Sequence, residues 1–114
     1  MGTSTMAYAL LALAIIAEVA GTLALKQSDG FSKLQPSLVV IAGYGVAFFL
    51  VSIVLRTLPV GITYAIWAGS GTALVLIVSA VVFEQWPNMT ALTGVGLITA
   101  GIVVINLGSQ TTVQ

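Results

Sequence analysis

Four stretches with almost no charge, approximately 6–25, 37–55, 60–83 and 89–107, take up most of this 114-residue chain. Each is about 20 residues long, the length at which an α-helix crosses a hydrocarbon core ~30 Å thick. Hydrocarbon offers no partner to a free N–H or C=O, so each stretch is expected to be a helix that satisfies its own backbone groups. The pattern predicts an all-α integral membrane protein, a four-transmembrane-helix bundle forming a single membrane domain over 1–114. The connectors and tails are too short to hold a soluble catalytic domain, which points away from an enzyme.

The rest of the composition narrows the chemistry. Only 5% of residues are charged, against roughly 25% in soluble domains. Formal net charge is zero, so there is no electrostatic case for nucleic acid. The chain has no cysteine and no histidine. Disulfides, thiolate chemistry, the usual zinc ligand sets and imidazole relays are therefore excluded, and no metal or cofactor is expected. Any proton chemistry falls to carboxylates. The opening "MGTST" lacks Lys or Arg, and Glu18 interrupts the apolar run behind it, so a cleaved signal peptide is not expected.

The first connector, "KQSDGFSKLQP", holds Lys26, Asp29 and Lys33, with Gly30 as a turn former and Pro36 suited to opening the second helix. "RTLP" makes a tight second connector in which Pro59 starts the third helix, and "EQWPN" makes the third. Connectors this short require neighbouring spans to be antiparallel. Lys26 and Lys33 lie on one side of the membrane and Arg56 on the other. So weak a cationic bias lets copies insert in either orientation, which leaves an antiparallel, dual-topology homodimer open to this chain.

Five of the six charged side chains sit in connectors or at span ends; Glu18 does not. At 1.5 Å per residue it lies about 10 Å below the membrane face at the first connector. A charge at the centre of a span costs ~2.5 to 3.5 kcal/mol on insertion scales, so an acid kept there is by default functional. Removed from water, a carboxylate gains from either a proton or a cation, and the two compete for it. Such competition is sufficient in principle for exchange transport. The plainer alternative is a protonated glutamate hydrogen-bonded to a neighbouring helix. Ala14, Gly21 and Thr22 lie one turn from Glu18 on the same face and are small, leaving room for a substrate or for a closely packed helix.

Aromatic ring faces attract organic cations. Tyr8 and Trp86 are near span ends and read as interface anchors. Tyr44 comes to about the depth of Glu18 when counted from the same membrane face. Tyr64 and Trp67, at i and i+3, share a face of the third helix but count from the opposite side. Inverting a second copy would bring its Trp67 to roughly the depth of Glu18 in the first. Ordinary packing is the competing account for each ring. With Phe48, the candidate pocket lining is Ala14, Gly21, Thr22, Tyr44, Phe48, Tyr64 and Trp67. Gly69 and Gly71, in "GSG", invite a kink in the third helix or permit tight packing. Gly94 and Gly101, one heptad apart, mark a helix-pairing face on the fourth.

The segments "AEVAGTLALKQSDGF", then Pro36 and Tyr44, then "PVGITYAIWAGSG", "GVGLITAGI" and "INL", together resemble the small multidrug resistance family over nearly the whole chain. The resemblance implies a proton-coupled exporter of lipophilic and quaternary ammonium cations, working as an antiparallel homodimer in the bacterial inner membrane. It assigns Glu18 as the shared proton and substrate site, with Tyr44, Tyr64 and Trp67 lining it. Gly69 and Gly71 become the helix-three kink, and Gly94, Leu97, Ile98, Gly101 and Ile102 the dimer contact. A sister branch exports guanidinium-type metabolites and carries a tryptophan three residues after the glutamate and a serine in helix two. This chain has Gly21 and Ala47 there, which fits the drug-exporting branch. Gln35 and Phe49 stand where the family often has tryptophan, and bear on substrate range.

Two readings of other classes compete. A proton-carrying subunit of a rotary ring also holds a buried carboxylate, but four spans and deep aromatics disfavour it. A structural membrane subunit would use Glu18 only to pair helices.

Overall fold

The computed structural model describes residues 3–109, and every regular element among them is an α-helix. They are α1 Thr3–Gln27, α2 Leu34–Val54, α3 Val60–Val82 and α4 Met89–Ser109. All four are long and apolar enough to cross a membrane. Pro36 falls inside the first turn of α2, so that helix begins earlier than the proline alone suggests. The first N–H groups of a helix have no intrahelical acceptor, and a proline among them costs no bond. α1 extends through Lys26, whose charge complements the negative end of the helix.

The chain reverses between α1 and α2 through three successive residues in the left-handed region, Asp29 (φ 50°), Gly30 (φ 70°) and Phe31 (φ 65°). Only glycine takes that conformation without penalty. Fully buried Ser28 holds the turn together. Its carbonyl accepts from the N–H groups of Ser32 (2.9 Å) and Lys33 (3.1 Å). Its Oγ donates to the Leu25 carbonyl at 2.7 Å and accepts from Phe31 N–H at 3.1 Å.

α1 and α2 form one compact hairpin, ending at Leu58. The buried residues of α1 include Ala7, Leu11, Ala14, Gly21 and Ala24, with Ser28 just past its end; those of α2 are Ser37, Val40, Ala47, Val51 and Val54. Both sets are spaced by three, four or seven, the spacing of a helix seam. Glu18 falls between Ala14 and Gly21 in that rhythm, and Tyr44 between Val40 and Ala47. Small side chains bring the backbones close: a Cβ added at Gly43 would lie 2.8 Å from the Ala17 carbonyl oxygen and 3.1 Å from Gly21 Cα.

α3 and α4 form the second hairpin, beginning at Pro59. Pro59 sits extended at the head of α3 (φ −62°, ψ 148°), and Asn88 caps α4 by accepting the Ala91 N–H on its Oδ1 at 2.8 Å. α3 runs as one helix through Gly69 and Gly71. Gly69 packs on α4, where a Cβ would come within 2.6 Å of Ile102 Cδ1 and 3.0 Å of Ile98 Cγ2. None of the described residues of α4 is buried by the rest of the chain.

Candidate functional site

Glu18 is half-buried in the middle of the α1–α2 seam. Thr22, one turn along α1, donates its hydroxyl hydrogen to Glu18 Oε2 at 2.7 Å. The same Thr22 oxygen lies 2.7 Å from the Tyr44 hydroxyl of α2. A threonine hydroxyl has one hydrogen to give. With that hydrogen on Glu18, Tyr44 must donate to Thr22, so the bonds run from Tyr44 through Thr22 to the carboxylate. A carboxylate that instead carries a proton becomes a donor, and the same three groups can then run in the opposite sense. The group is a short polar path across two helices at membrane depth, ending on the one acid in the apolar spans.

Thr22 therefore does more than leave space: it joins Glu18 to Tyr44. Its i+4 spacing from Glu18 was the signal for this bond. Ala14 is fully buried, and Gly21 is buried with its Cα facing α2, where an added Cβ would touch Tyr44 N and ring atoms at 3.5 to 3.6 Å. Of the two uses open to these small residues, Gly21 is occupied by close helix packing. Phe48, one turn past Tyr44, is exposed. Gly43 was not apparent as a candidate from sequence, although it precedes Tyr44 directly.

In the second hairpin Tyr64 and Trp67 pack edge to face, with ring centroids 6.2 Å apart and planes at 84°. Tyr64 is exposed and Trp67 half-buried. One residue before Tyr64, Thr63 is almost wholly buried, and its Oγ1 meets no hydrogen-bond partner among the described residues. Other helical hydroxyls bond to their own helix, as Thr72 does to the Ala68 carbonyl and Thr93 to that of Met89. Among the residues read as a pairing face on α4, Ile98 and Ile102 meet Gly69 of the same chain. Leu97 is exposed, and Gly94 and Gly101 have open space beside them.

An apolar helical hairpin pair with an acid and two hydroxyls at lipid depth defines a multi-pass membrane protein with a polar site inside its spans, a class that handles ions or small charged solutes. Comparison with known proteins specifies the class. The family model for the Small Multidrug Resistance protein matches residues 6–98, and the chain belongs to that family. It is 46% identical over 100 residues to the quaternary ammonium compound-resistance protein QacE of Escherichia coli, covering 88% of this chain and 91% of that protein. A multidrug transporter of Pseudomonas aeruginosa is 50% identical over 103 residues, covering 90% and 94%. The multidrug resistance protein EbrA of Bacillus licheniformis is 40% identical over 100 residues, covering 88% and 95%.

Proposed function

We propose that the protein is a proton-coupled antiporter that exports lipophilic and quaternary ammonium cations across the bacterial inner membrane. Glu18 binds either a proton or the cation, and each leaves before the other enters. The observation that carries this reading is the pair of hydroxyls, Thr22 and Tyr44, linked to the one carboxylate within the apolar spans. Thr22 holds the carboxylate in place by donating to Oε2, leaving it a fixed partner for either a proton or a cation. Names of the relatives, which speak of quaternary ammonium and multidrug resistance, supply the substrate class.

The working unit in this proposal is an antiparallel homodimer of four-helix chains, with Tyr44, Phe48, Tyr64 and Trp67 presenting ring faces to the cation. Gly94, Leu97, Ile98, Gly101 and Ile102 of α4 supply the contact between copies, and Gly69 and Gly71 the bend that moves α3 between access states. In an antiparallel pair the two access states can be one structure seen from opposite sides. A charge moved across 100 mV is worth ~2.3 kcal/mol, which is what makes the proton gradient able to drive export.

Reconstitution tests it. Purified protein in liposomes under a pH gradient should take up a quaternary ammonium ion in preference to guanidinium, and Glu18→Gln should abolish the gradient-driven part. Uptake that survives Glu18→Gln unchanged would end the proposal.

A further inference from the structure

Gly43 stands where α2 comes closest to α1, next in sequence to Tyr44 and across from Ala17 and Gly21. An added Cβ there would lie 2.8 Å from the Ala17 carbonyl oxygen, and 3.1 Å from both Gly21 N and Gly21 Cα. These are backbone atoms of a hydrogen-bonded helix. They cannot rotate aside as a side chain would, so any residue larger than glycine must push α2 outward. Tyr44 follows on the same turn, and its hydroxyl lies 2.7 Å from that of Thr22 across the same pair of helices.

We propose that Gly43 is a positioning residue for the transport site: by setting the α1–α2 distance it holds the Tyr44 hydroxyl on Thr22, and through Thr22 it fixes the polar partners that Glu18 presents to a proton or a cation. The inference rests on the reading of Glu18 as the shared site. Glu18 is met by Thr22 from its own helix, and Tyr44 is the ionisable group that α2 brings to the path. The other ionisable groups of this hairpin are remote along their helices. Lys26 is eight residues from Glu18, or ~12 Å of helical rise. Tyr8 lies further still, Asp29 and Lys33 are in the connector, and Arg56 is three turns past Tyr44.

Gly45 provides an internal control, since the same methyl added there meets nothing within 4 Å. Both glycines are helical, and alanine has the higher helix propensity at either site, so propensity alone predicts the same effect for both.

The experiment measures equilibrium binding of a labelled quaternary ammonium ion to the purified full-length protein in detergent across a pH series. The set comprises wild type, Gly43→Ala, Tyr44→Phe, the double variant, Gly45→Ala and Glu18→Gln. Both changes break the Tyr44 link to Thr22, so the pH profile of cation binding in Gly43→Ala should depart from wild type in the same way as in Tyr44→Phe. At a fixed pH near the wild-type midpoint, affinity should fall on the order of tenfold in each. The double variant should be no worse than the weaker single, and Gly45→Ala should match wild type.

A wild-type pH profile in Gly43→Ala, or losses that add in the double variant, overturns the positioning role. So does loss of helical signal in Gly43→Ala, which would assign Gly43 to folding alone. Should Glu18→Gln bind with wild-type affinity, the site reading itself fails, whatever Gly43 does.

Discussion

Thr22 of α1 and Tyr44 of α2 meet hydroxyl to hydroxyl at 2.7 Å, and Thr22 is at the same time bonded to Glu18. Residues 22 positions apart in the chain thus complete one polar path in an apolar seam. Each hydroxyl is satisfied by the next, and the chain of donors ends on the acid. Removing the middle member should separate the other two.

Thr22→Val keeps the shape of the side chain and removes the hydroxyl. Cation binding at a fixed pH should weaken by about tenfold, the scale of a hydrogen bond to a charged group. Thr22→Ser should retain most of the affinity. Titration of binding by fluorescence or calorimetry separates the two, and equal losses in both would remove the hydroxyl from the site.

Competition fixes the sign of the pH dependence. Protons and the cation claim one carboxylate, so the apparent affinity for a quaternary ammonium ion should fall as pH is lowered. Binding should release a proton, measurable as a buffer-dependent enthalpy in calorimetry. An affinity indifferent to pH, with no proton released, contradicts a shared site.

Thr63 has a buried hydroxyl without a partner among the described residues. An unmet buried polar group costs roughly 1 to 3 kcal/mol. Thr63→Val fills the same volume without that penalty and should raise resistance to unfolding in detergent, followed by circular dichroism on heating. A clear loss of stability would show that the hydroxyl is engaged in the assembled protein.

Gly69 and Gly43 both lie against a neighbouring helix, but they meet different atoms. At Gly69 an added methyl meets side-chain carbons of Ile98 and Ile102, the nearest being the terminal Cδ1 of Ile102 at 2.6 Å. That end can move, so Gly69→Ala should cost less stability than Gly43→Ala, whose methyl meets backbone. Overpacking of this kind usually falls within ~1 to 3 kcal/mol. Thermal unfolding of the two variants side by side checks the order.

The α4 cap gives a local test. Asn88 accepts the Ala91 N–H, and Asn88→Ala should cost about 1 kcal/mol. Hydrogen exchange should rise in the first turn of α4 and stay unchanged in the hairpin of α1 and α2.

Four membrane-length spans, each helical, follow from the order of the amino acids alone, because length and apolarity set those outcomes residue by residue. That order also isolated Glu18, since a lone carboxylate in an apolar run is visible as a cost without any coordinates. Ala14, Gly21 and Thr22 could be placed on its face from helical periodicity alone. What these neighbours touch comes from the packing of the two helices. Which α2 residue lies opposite which α1 residue depends on the register and separation of two packed helices, and no local pattern states either. For that reason Gly43 remained invisible, Thr22 read as a small residue instead of a link to Tyr44, and Gly69 emerged packed against Ile98 and Ile102.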